Sequence, residues 1–276
     1  MTLSNTPISC LPVSLFQDFF DRSMNILDWA AYAKELGMDY IDVNRRCLLD
    51  MTVAEAESIS GQLAVPVMMI TTYSDFTNPD PKALEEAVKA AKHDIALTAA
   101  LKGKYLRLTA GQAYPDQDDA EMIDRIYRCF EACLPVAQAA GVGILLENHS
   151  KPGAWQYPDY NFHMERFLML WEKLKELPIH INFDTANSFA LGDWKRILDA
   201  VAGRIATVHL NDLASVEPLA FTLVGDGIVP MEQMLDAVYA TGFTGDLCIE
   251  EAAFRGFEGI ELAAAYTKNL AKKYGF

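Results

Sequence analysis

Three carboxylates and one histidine stand at the ends of short apolar runs in the second half of the chain. Glu147 ends VGILLE, Asp184 ends IHINFD and Glu250 ends DLCIE. His209 is the penultimate residue of a fourth run, IATVHL. Carboxylate oxygens together with an imidazole nitrogen suit Mn²⁺, Mg²⁺, Co²⁺ or Zn²⁺, and a divalent ion would offset the cost of burying neighbouring carboxylates. These residue types predict a site for one divalent metal ion, provided that the fold brings them together.

The elements that must position these residues alternate regularly along the chain. Amphipathic segments with a helical period separate the strands, and Gly37, Gly103 and Gly141 follow three of these predicted helices. The alternation predicts a parallel sheet, and a count of eight strands favours a closed (β/α)8 TIM barrel over an open doubly wound sheet. One such barrel typically has about 250 residues, so we predict a single domain over residues 1–276. The eight predicted strands are 8–13, 40–44, 66–71, 105–109, 142–147, 179–184, 205–210 and 246–250.

Strand alternation predicts the direction of the candidate ligands. Side chains of a barrel strand face the interior and the surrounding helices in turn, and bulky apolar residues are expected on the helix side. Such residues precede each candidate, so all four are predicted to face inward at the carboxyl ends of the strands, where barrel active sites lie. The same alternation favours Glu250 over its neighbour Glu251. The alternative is a set of separately solvated carboxylates and one structural histidine. That alternative would explain any one of these residues, but it explains less well why four consecutive strands all carry a potential ligand at their ends.

Three further residues are candidates for substrate contact. His149 follows Glu147 by two residues, and it would either hydrogen-bond a substrate or pack within its loop. Trp155 lies in an aromatic-rich loop that would cover the barrel mouth, contact a second subunit or pack locally. Arg107 lies in the fourth predicted strand, where an interior ion pair is as natural as a substrate contact.

Composition argues against several classes of partner. With 23 Lys and Arg against 38 Asp and Glu, the net charge is −15, and such a surface repels nucleic-acid backbones and anionic membranes. No apolar run approaches the roughly 20 residues needed to cross a bilayer, and the N-terminus lacks the pattern of a signal peptide. The five cysteines form no CxxC pair, which favours a reducing compartment. We expect a cytoplasmic protein without a nucleic-acid or membrane partner.

Six motifs spread over nearly the whole chain point to a known family. They are KELGMDYIDV (34–43), ILLENHS (144–150), INFDTAN (181–187), TVHLND (207–212), LVGDGIV (223–229) and TGDLCIEE (244–251). Together they resemble the sugar phosphate isomerase/epimerase family of xylose isomerase-like TIM barrels, which includes ketose 3-epimerases, hydroxypyruvate isomerases and inosose dehydratases. The resemblance implies one bound metal ion, with Mn²⁺ expected first and Zn²⁺, Mg²⁺ or Co²⁺ as alternatives, held by Glu147, Asp184, His209 and Glu250.

The resemblance also implies a reaction on a small carbohydrate. A hydroxy-ketone sugar or sugar phosphate would lose a carbon-bound proton, the metal would stabilise the enediolate, and Glu147 and Glu250 would form the acid/base pair. Asn187 stands where many ketose epimerases have a substrate-binding histidine, so it is a further candidate for substrate contact. The arginine that follows the metal-binding histidine in those enzymes has no counterpart in LNDLASVEP. Homo-oligomers are common among such relatives, which makes a homo-oligomer an expectation by analogy.

Two other functions remain open from the sequence. A metal-dependent dehydratase or lyase acting on inosose or dehydroshikimate would use the same proton abstraction and then expel a hydroxyl group. A barrel that only binds a sugar would keep the metal site, but it would not exchange any carbon-bound proton with solvent.

Overall fold

A computed structural model describes residues 6–149 and 155–274 of the chain. Within these residues, an eight-stranded parallel sheet forms a barrel surrounded by helices, and each of its strands coincides with a predicted one. The predicted (β/α)8 TIM barrel is therefore confirmed. The barrel strands are β1 Ile8–Leu11, β2 Ile41–Asn44, β3 Val67–Thr71, β4 Tyr105–Leu108, β5 Gly143–Glu147, β6 His180–Asp184, β7 Ile205–Leu210 and β10 Asp246–Glu250.

The order of strands around the sheet is β1-β10-β7-β6-β5-β4-β3-β2. At the seam between β1 and β2, the carbonyl of Ile8 accepts hydrogen bonds from Asp39 N at 2.9 Å and Tyr40 N at 3.3 Å. The carboxylate of Asp39 also accepts a hydrogen bond from Ile8 N at 2.9 Å. These contacts nearly close the barrel, and β5, β6, β7 and β10 follow one another along one side of it.

Helices pack around the barrel, and several of them begin at a capping side chain. Asn25, Asp80 and Asp118 each accept backbone N–H groups at the start of a long helix. Gly37 and Gly141 each follow a helix and have φ of 68°. This left-handed conformation is the one in which glycine commonly ends a helix. The described helices are α1 Phe16–Phe20, α2 Ile26–Glu35, α3 Val53–Ser60, α4 Pro81–Ala100, α5 Asp119–Ala140, α6 Met164–Leu174, α7 Thr185–Ala190, α8 Trp194–Val201, α9 Met231–Ala240 and α10 Gly256–Ala271.

The end of α4 differs in detail from the expectation. The left-handed residue there is Lys102, with φ of 58°, and Gly103 has no positive φ. Gly103 serves a different purpose, because a Cβ at this position would lie 2.9 Å from Cγ2 of Thr98. A close approach of the chain, rather than backbone conformation, therefore requires this glycine.

An antiparallel hairpin between β7 and α9 is absent from the sequence prediction. It consists of β8 Asp212–Ser215 and β9 Ala220–Thr222. The buried carboxylate of Asp212 accepts hydrogen bonds from the backbone N–H groups of Leu213, Gly225, Gly227 and Val229 at 2.9–3.1 Å. The motif LVGDGIV is thus the segment that wraps around Asp212, and Gly227 allows the close approach because a Cβ there would clash with the Asp212 carboxylate.

The two faces of the barrel strands differ in chemistry as strand alternation predicts. Outward-facing residues of β5, β6, β7 and β10 belong to the main hydrophobic cluster shared with the helices; they are Ile144, Leu146, Ile181, Phe183, Val208, Leu247 and Ile249. The interior is partly polar, with Thr207 Oγ1 donating to Asn182 Oδ1 at 2.7 Å. The five cysteines are buried and free. None of the described helices is both long and apolar enough to cross a membrane.

Candidate metal centre

Glu147, Asp184, His209 and Glu250 meet at the carboxyl ends of four strands that are adjacent around the barrel. One ligand atom from each residue lies within 4.8 Å of those of the other three, and all four residues are buried. Nδ1 of His209 is 3.0 Å from Oε2 of Glu250 and 3.8 Å from Oε1 of Glu147. The structure therefore brings together all four residues that the sequence indicated as metal ligands.

The electrostatics of this cluster favour a cation. Burial raises the pKa of the Asp184 carboxyl well above its usual range, and the nearby charges of Glu250 and Glu147 raise it further. Burial alone would lower the pKa of the His209 imidazole, but Cys248, Asp42 and Glu250 outweigh that effect and raise it. Oδ2 of Asp184 accepts no hydrogen bond from the residues that the structure describes. A buried group of three carboxylates with an unsatisfied oxygen fits a divalent ion, which would offset their repulsion.

Asn148 ties the two strands that carry Glu147 and Asp184. Its Nδ2 donates to the carbonyl of Asp184 at 3.1 Å and to Oγ of Ser188 at 2.8 Å. Its Oδ1 accepts from Asp184 N at 3.0 Å. Asn161 Nδ2 adds a hydrogen bond to the carbonyl of Glu147 at 3.1 Å. Neither asparagine was predicted as a site residue, although Asn148 directly follows a predicted ligand.

Asp184 also begins the short helix α7, which places Asn187. Oδ1 of Asp184 accepts from Asn187 N at 2.6 Å, so the helix start fixes this carboxylate. Nδ2 of Asn187 lies 3.3 Å from Oε1 of Glu147, with donor geometry. Asn187 is thus brought to the cluster, and its contact with a substrate remains a prediction.

Arg107 forms the interior ion pair that the sequence left as one of two possibilities. Its Nε is 2.9 Å from Oε2 of Glu147, and both side chains are buried. Its Nη1 donates to the carbonyl of Thr72 at 3.1 Å. This places Arg107 directly beside the cluster, where a substrate contact remains a prediction.

His149 and Trp155 share one partner, Asp159. Nδ1 of His149 is 2.9 Å from Oδ2 of Asp159, and Nε1 of Trp155 donates to Oδ1 at 2.6 Å. The ring of Tyr73 packs edge-on against both, at centroid distances of 6.1 Å and 5.5 Å. Residues 150–154, which follow His149 in the chain, lie outside the described residues. Asp159 was not predicted as a site residue, because no motif or periodicity in the sequence links it to His149.

Glu251 lies away from the cluster. It is buried, and its Oε1 accepts from Ala253 N at 3.0 Å. This oxygen also lies close to Gly259 of α10, where a Cβ would meet it at 2.8 Å. Of the two adjacent glutamates, Glu250 is the one whose carboxylate joins Glu147, Asp184 and His209.

These features define a (β/α)8 barrel with a cluster of carboxylates and a histidine at the carboxyl ends of its strands. More specifically, the chain belongs to the xylose isomerase-like TIM barrel family, whose model matches residues 30–272. No curated protein matches the chain in sequence.

Solved structures share this fold at low sequence identity. D-psicose 3-epimerase with D-tagatose from Clostridium cellulolyticum H10 has a TM-score of 0.76 at 10% identity, covering 98% of this chain and 99% of that one. The IolI protein with a bound zinc atom has a TM-score of 0.73 at 17% identity, covering 97% and 96%. The "probable 3-DHS dehydratase AsbF" of Bacillus anthracis has a TM-score of 0.72 at 17% identity, covering 95% and 99%. At these identities the similarity shows the fold alone.

Proposed function

We propose that this protein is a divalent-metal-dependent isomerase or epimerase of a sugar or sugar phosphate. The observation that carries the proposal is the buried cluster of Glu147, Asp184, His209 and Glu250, whose ligand atoms lie within 4.8 Å of one another. Family membership and the similar fold of D-psicose 3-epimerase support a carbohydrate as substrate. The similar fold of the zinc-containing IolI protein supports a divalent ion.

The four clustered residues would hold one ion. Three carboxylates and one imidazole suit Mn²⁺, which we propose first, with Zn²⁺, Mg²⁺ and Co²⁺ as alternatives. When bound, the ion supplies Lewis-acid stabilisation of the negative charge that develops on a hydroxy-ketone as its carbon-bound proton leaves. Asp184 and His209 serve mainly as ligands.

Glu147 and Glu250 are the proposed acid/base pair. They lie on β5 and β10, which β6 and β7 separate around the barrel, so their carboxylates approach a bound substrate from different sides. One glutamate removes the proton and the other returns a proton to the opposite face, which inverts the carbon. Arg107 holds Oε2 of Glu147 and leaves Oε1 directed at the cluster.

Four neighbours are the proposed substrate contacts. Asn187 and Arg107 touch Glu147 directly, so each is placed to reach a substrate held beside that carboxylate. His149 and Trp155 approach from the loop after β5 through their shared partner Asp159. His149, Trp155 and the start of α7 together would decide which sugar is accepted.

Deuterium exchange tests this function. Metal-loaded protein is incubated in D2O with ketoses, ketose phosphates, inososes and dehydroshikimate, and NMR follows deuterium uptake and product formation. We expect exchange at one carbon with formation of the epimer or isomer, and loss of that exchange in Glu147→Gln and Glu250→Gln.

The same experiment separates the other functions. Loss of water from a substrate would identify a dehydratase or lyase instead, a reaction for which the similar fold of AsbF gives precedent. Binding without exchange would identify a sugar-binding barrel. The acid/base assignment is wrong if both glutamine variants bind metal and sugar and still exchange the proton at the wild-type rate.

A further inference from the structure

A second carboxylate lies in the barrel interior behind the cluster. Asp42 on β2 is completely buried, between Ile41 and Val43, which face the surrounding helices. Neither of its oxygens accepts a well-aligned hydrogen bond from any residue that the structure describes. An unsatisfied buried carboxylate is costly, so this residue calls for a partner that the proposed acid/base chemistry does not supply.

The partner that faces Asp42 is the imidazole of His209. Nδ1 of His209 points to the cluster, at 3.0 Å from Oε2 of Glu250, whereas Nε2 points back to Oδ2 of Asp42 at 3.8 Å. The imidazole thus lies between two acidic regions, one for each ring nitrogen. Neutral imidazole carries one proton, so the acceptor on one side decides which nitrogen keeps a free lone pair on the other.

Asp42, His209 and Cys248 also form a group with the spacing of metal ligands. Cys248 pairs with His209 in the register of β10 and β7. A second ion in this group would need Nε2 of His209 while the first uses Nδ1, which requires an imidazole without any proton. A hydrogen bond from Nε2–H to Asp42 pairs the imidazole with the carboxylate without that cost.

We propose that Asp42 is a positioning residue for His209: its carboxylate accepts the Nε2–H proton and so fixes the tautomer whose Nδ1 lone pair faces the metal. The inference rests on the proposed metal site. Carboxylates that accept from a metal-bound histidine orient the ring and increase its basicity. The present distance of 3.8 Å exceeds a usual N–H···O distance of about 2.9 Å, so the Asp42 carboxylate must move closer by about 1 Å when the proton is on Nε2.

The test measures both metal affinity and the histidine proton. Zn²⁺ binding to wild-type protein, Asp42→Asn and Asp42→Leu is measured by competition with a chromophoric chelator. We expect the Kd for Zn²⁺ to rise about 10- to 100-fold in both variants, as for other partners of metal-bound histidines. Asp42→Leu removes the buried charge and fills a similar volume, so it provides a second folded protein if the asparagine variant is unstable.

The chemical shift of the Nε2 proton of His209 distinguishes a positioning role of Asp42 from a merely structural one. In ¹⁵N-histidine-labelled protein loaded with Zn²⁺, NMR should show His209 bound through Nδ1 and protonated at Nε2, with a strongly downfield proton. We expect this proton to shift upfield in Asp42→Asn, where the acceptor is neutral. The His209 signal is identified by its absence in His209→Gln.

Asp246→Asn is the matched control. Asp246 is another buried carboxylate facing the barrel interior, at the opposite end of β10 from Glu250. Its removal should leave the Kd and the Nε2 proton unchanged. If wild-type protein and Asp42→Asn bind Zn²⁺ equally and share the same Nε2 proton shift, the role of Asp42 is refuted while the metal site stands. If wild-type protein binds no metal ion, the proposed function fails and the role of Asp42 fails with it.

Discussion

Nε of Arg107 lies 2.9 Å from Oε2 of Glu147 in the barrel interior, and neither side chain is exposed. The other carboxylate oxygen, Oε1, is 3.3 Å from Nδ2 of Asn187 and 3.8 Å from Nδ1 of His209. The two oxygens of one glutamate therefore have different surroundings. Arg107 fixes one of them, and the other faces the proposed metal centre. The arginine therefore orients the carboxylate of Glu147, one member of the proposed acid/base pair.

The first prediction concerns this ion pair. Arg107→Met should destabilise the metal-free protein by about 3–5 kcal/mol, because it leaves a buried carboxylate without its cation. Urea unfolding in the presence of a chelator measures the change. Added Zn²⁺ should recover part of the loss, since the ion offsets the charge of Glu147.

Arg128→Met is the control for the loss of any arginine. Arg128 pairs with Asp124 at 2.8 Å on the surface, where both side chains are more than half exposed. Such surface pairs contribute about 0–1 kcal/mol. Equal destabilisation by the two substitutions would contradict the special role of the buried pair.

The second prediction concerns metal binding and stability. An ion present at 100 times its Kd adds about 2.7 kcal/mol to the free energy of unfolding. For a domain of about 150–250 residues, each kcal/mol raises Tm by roughly 2–4 °C. We therefore expect Mn²⁺ or Zn²⁺ to raise Tm by about 5 °C and a chelator to reverse the rise, as measured by differential scanning calorimetry.

Two substitutions give this measurement its specificity. Asp184→Asn should abolish the metal-dependent rise, because Asp184 contributes a ligand oxygen to the cluster. Glu251→Gln should keep the rise, because Glu251 bonds to Ala253 N and lies outside the cluster. A metal-dependent rise that needs Glu251 and not Asp184 would overturn the assignment of ligands.

The eight strands and the convergence of the cluster were predictable because they follow from periodic patterns. Apolar runs such as VGILLE define a strand, and alternation then fixes which side of the strand Glu147 faces. Glu250 and Glu251 illustrate this rule. As alternation predicts, only Glu250 of these adjacent glutamates joins the cluster, whereas Glu251 bonds to Ala253 N.

The partners that complete the site were not predictable in the same way. Asp159 contacts both Trp155 and His149, which lies ten residues earlier in the chain. Asp42 on β2 and His209 on β7 approach each other to 3.8 Å although these two strands lie far apart in the chain. No local periodicity encodes such contacts, because they depend on how distant elements meet. The hairpin after β7 escaped prediction for a similar reason, since Asp212 organises it through hydrogen bonds up to Val229.

The third prediction concerns that hairpin. Asp212→Asn should destabilise the protein by about 2–4 kcal/mol, because an amide replaces a charged acceptor of several buried N–H groups. Gly227→Ala should also be destabilising, since its Cβ would clash with the carboxylate of Asp212 and the carbonyl of Leu213. Urea unfolding measures both. Gly61→Ala is the control, because a Cβ there meets nothing within 4 Å, and wild-type stability in Asp212→Asn would show that the carboxylate does not organise this segment.

The fourth prediction concerns the pH dependence of stability. Burial raises the pKa of Asp246 to about 6; Lys104 partly opposes this shift, and Asp42 and Asp39 add to it. In the unfolded chain the same carboxyl has a pKa of about 3.9. Between these two values the folded protein holds the proton while the unfolded chain has lost it, so the contribution of Asp246 to stability falls as the pH rises from about 4 to 6.

Asp246→Asn should remove this loss of stability at rising pH. Between pH 4 and pH 7 the variant should gain about 1–3 kcal/mol of stability relative to wild-type protein. The lower part of this range is expected if solvent near the end of the strand screens the charge of Asp246. Urea unfolding of chelator-treated protein at a series of pH values gives the difference without a contribution from metal binding.

Asp236 provides a control of opposite sign. Hydrogen bonds from Lys273 and Tyr274 lower the pKa of this exposed carboxylate. Its contribution to stability is therefore present above the usual pKa of aspartate and is lost as the pH falls through the lowered value. Relative to wild-type protein, Asp236→Asn should lose stability as the pH rises towards the usual aspartate pKa of about 3.9 and stay constant above it. Asp246→Asn should instead gain stability between about pH 4 and pH 6. Parallel pH profiles for the two variants would show that burial does not set the titration of Asp246.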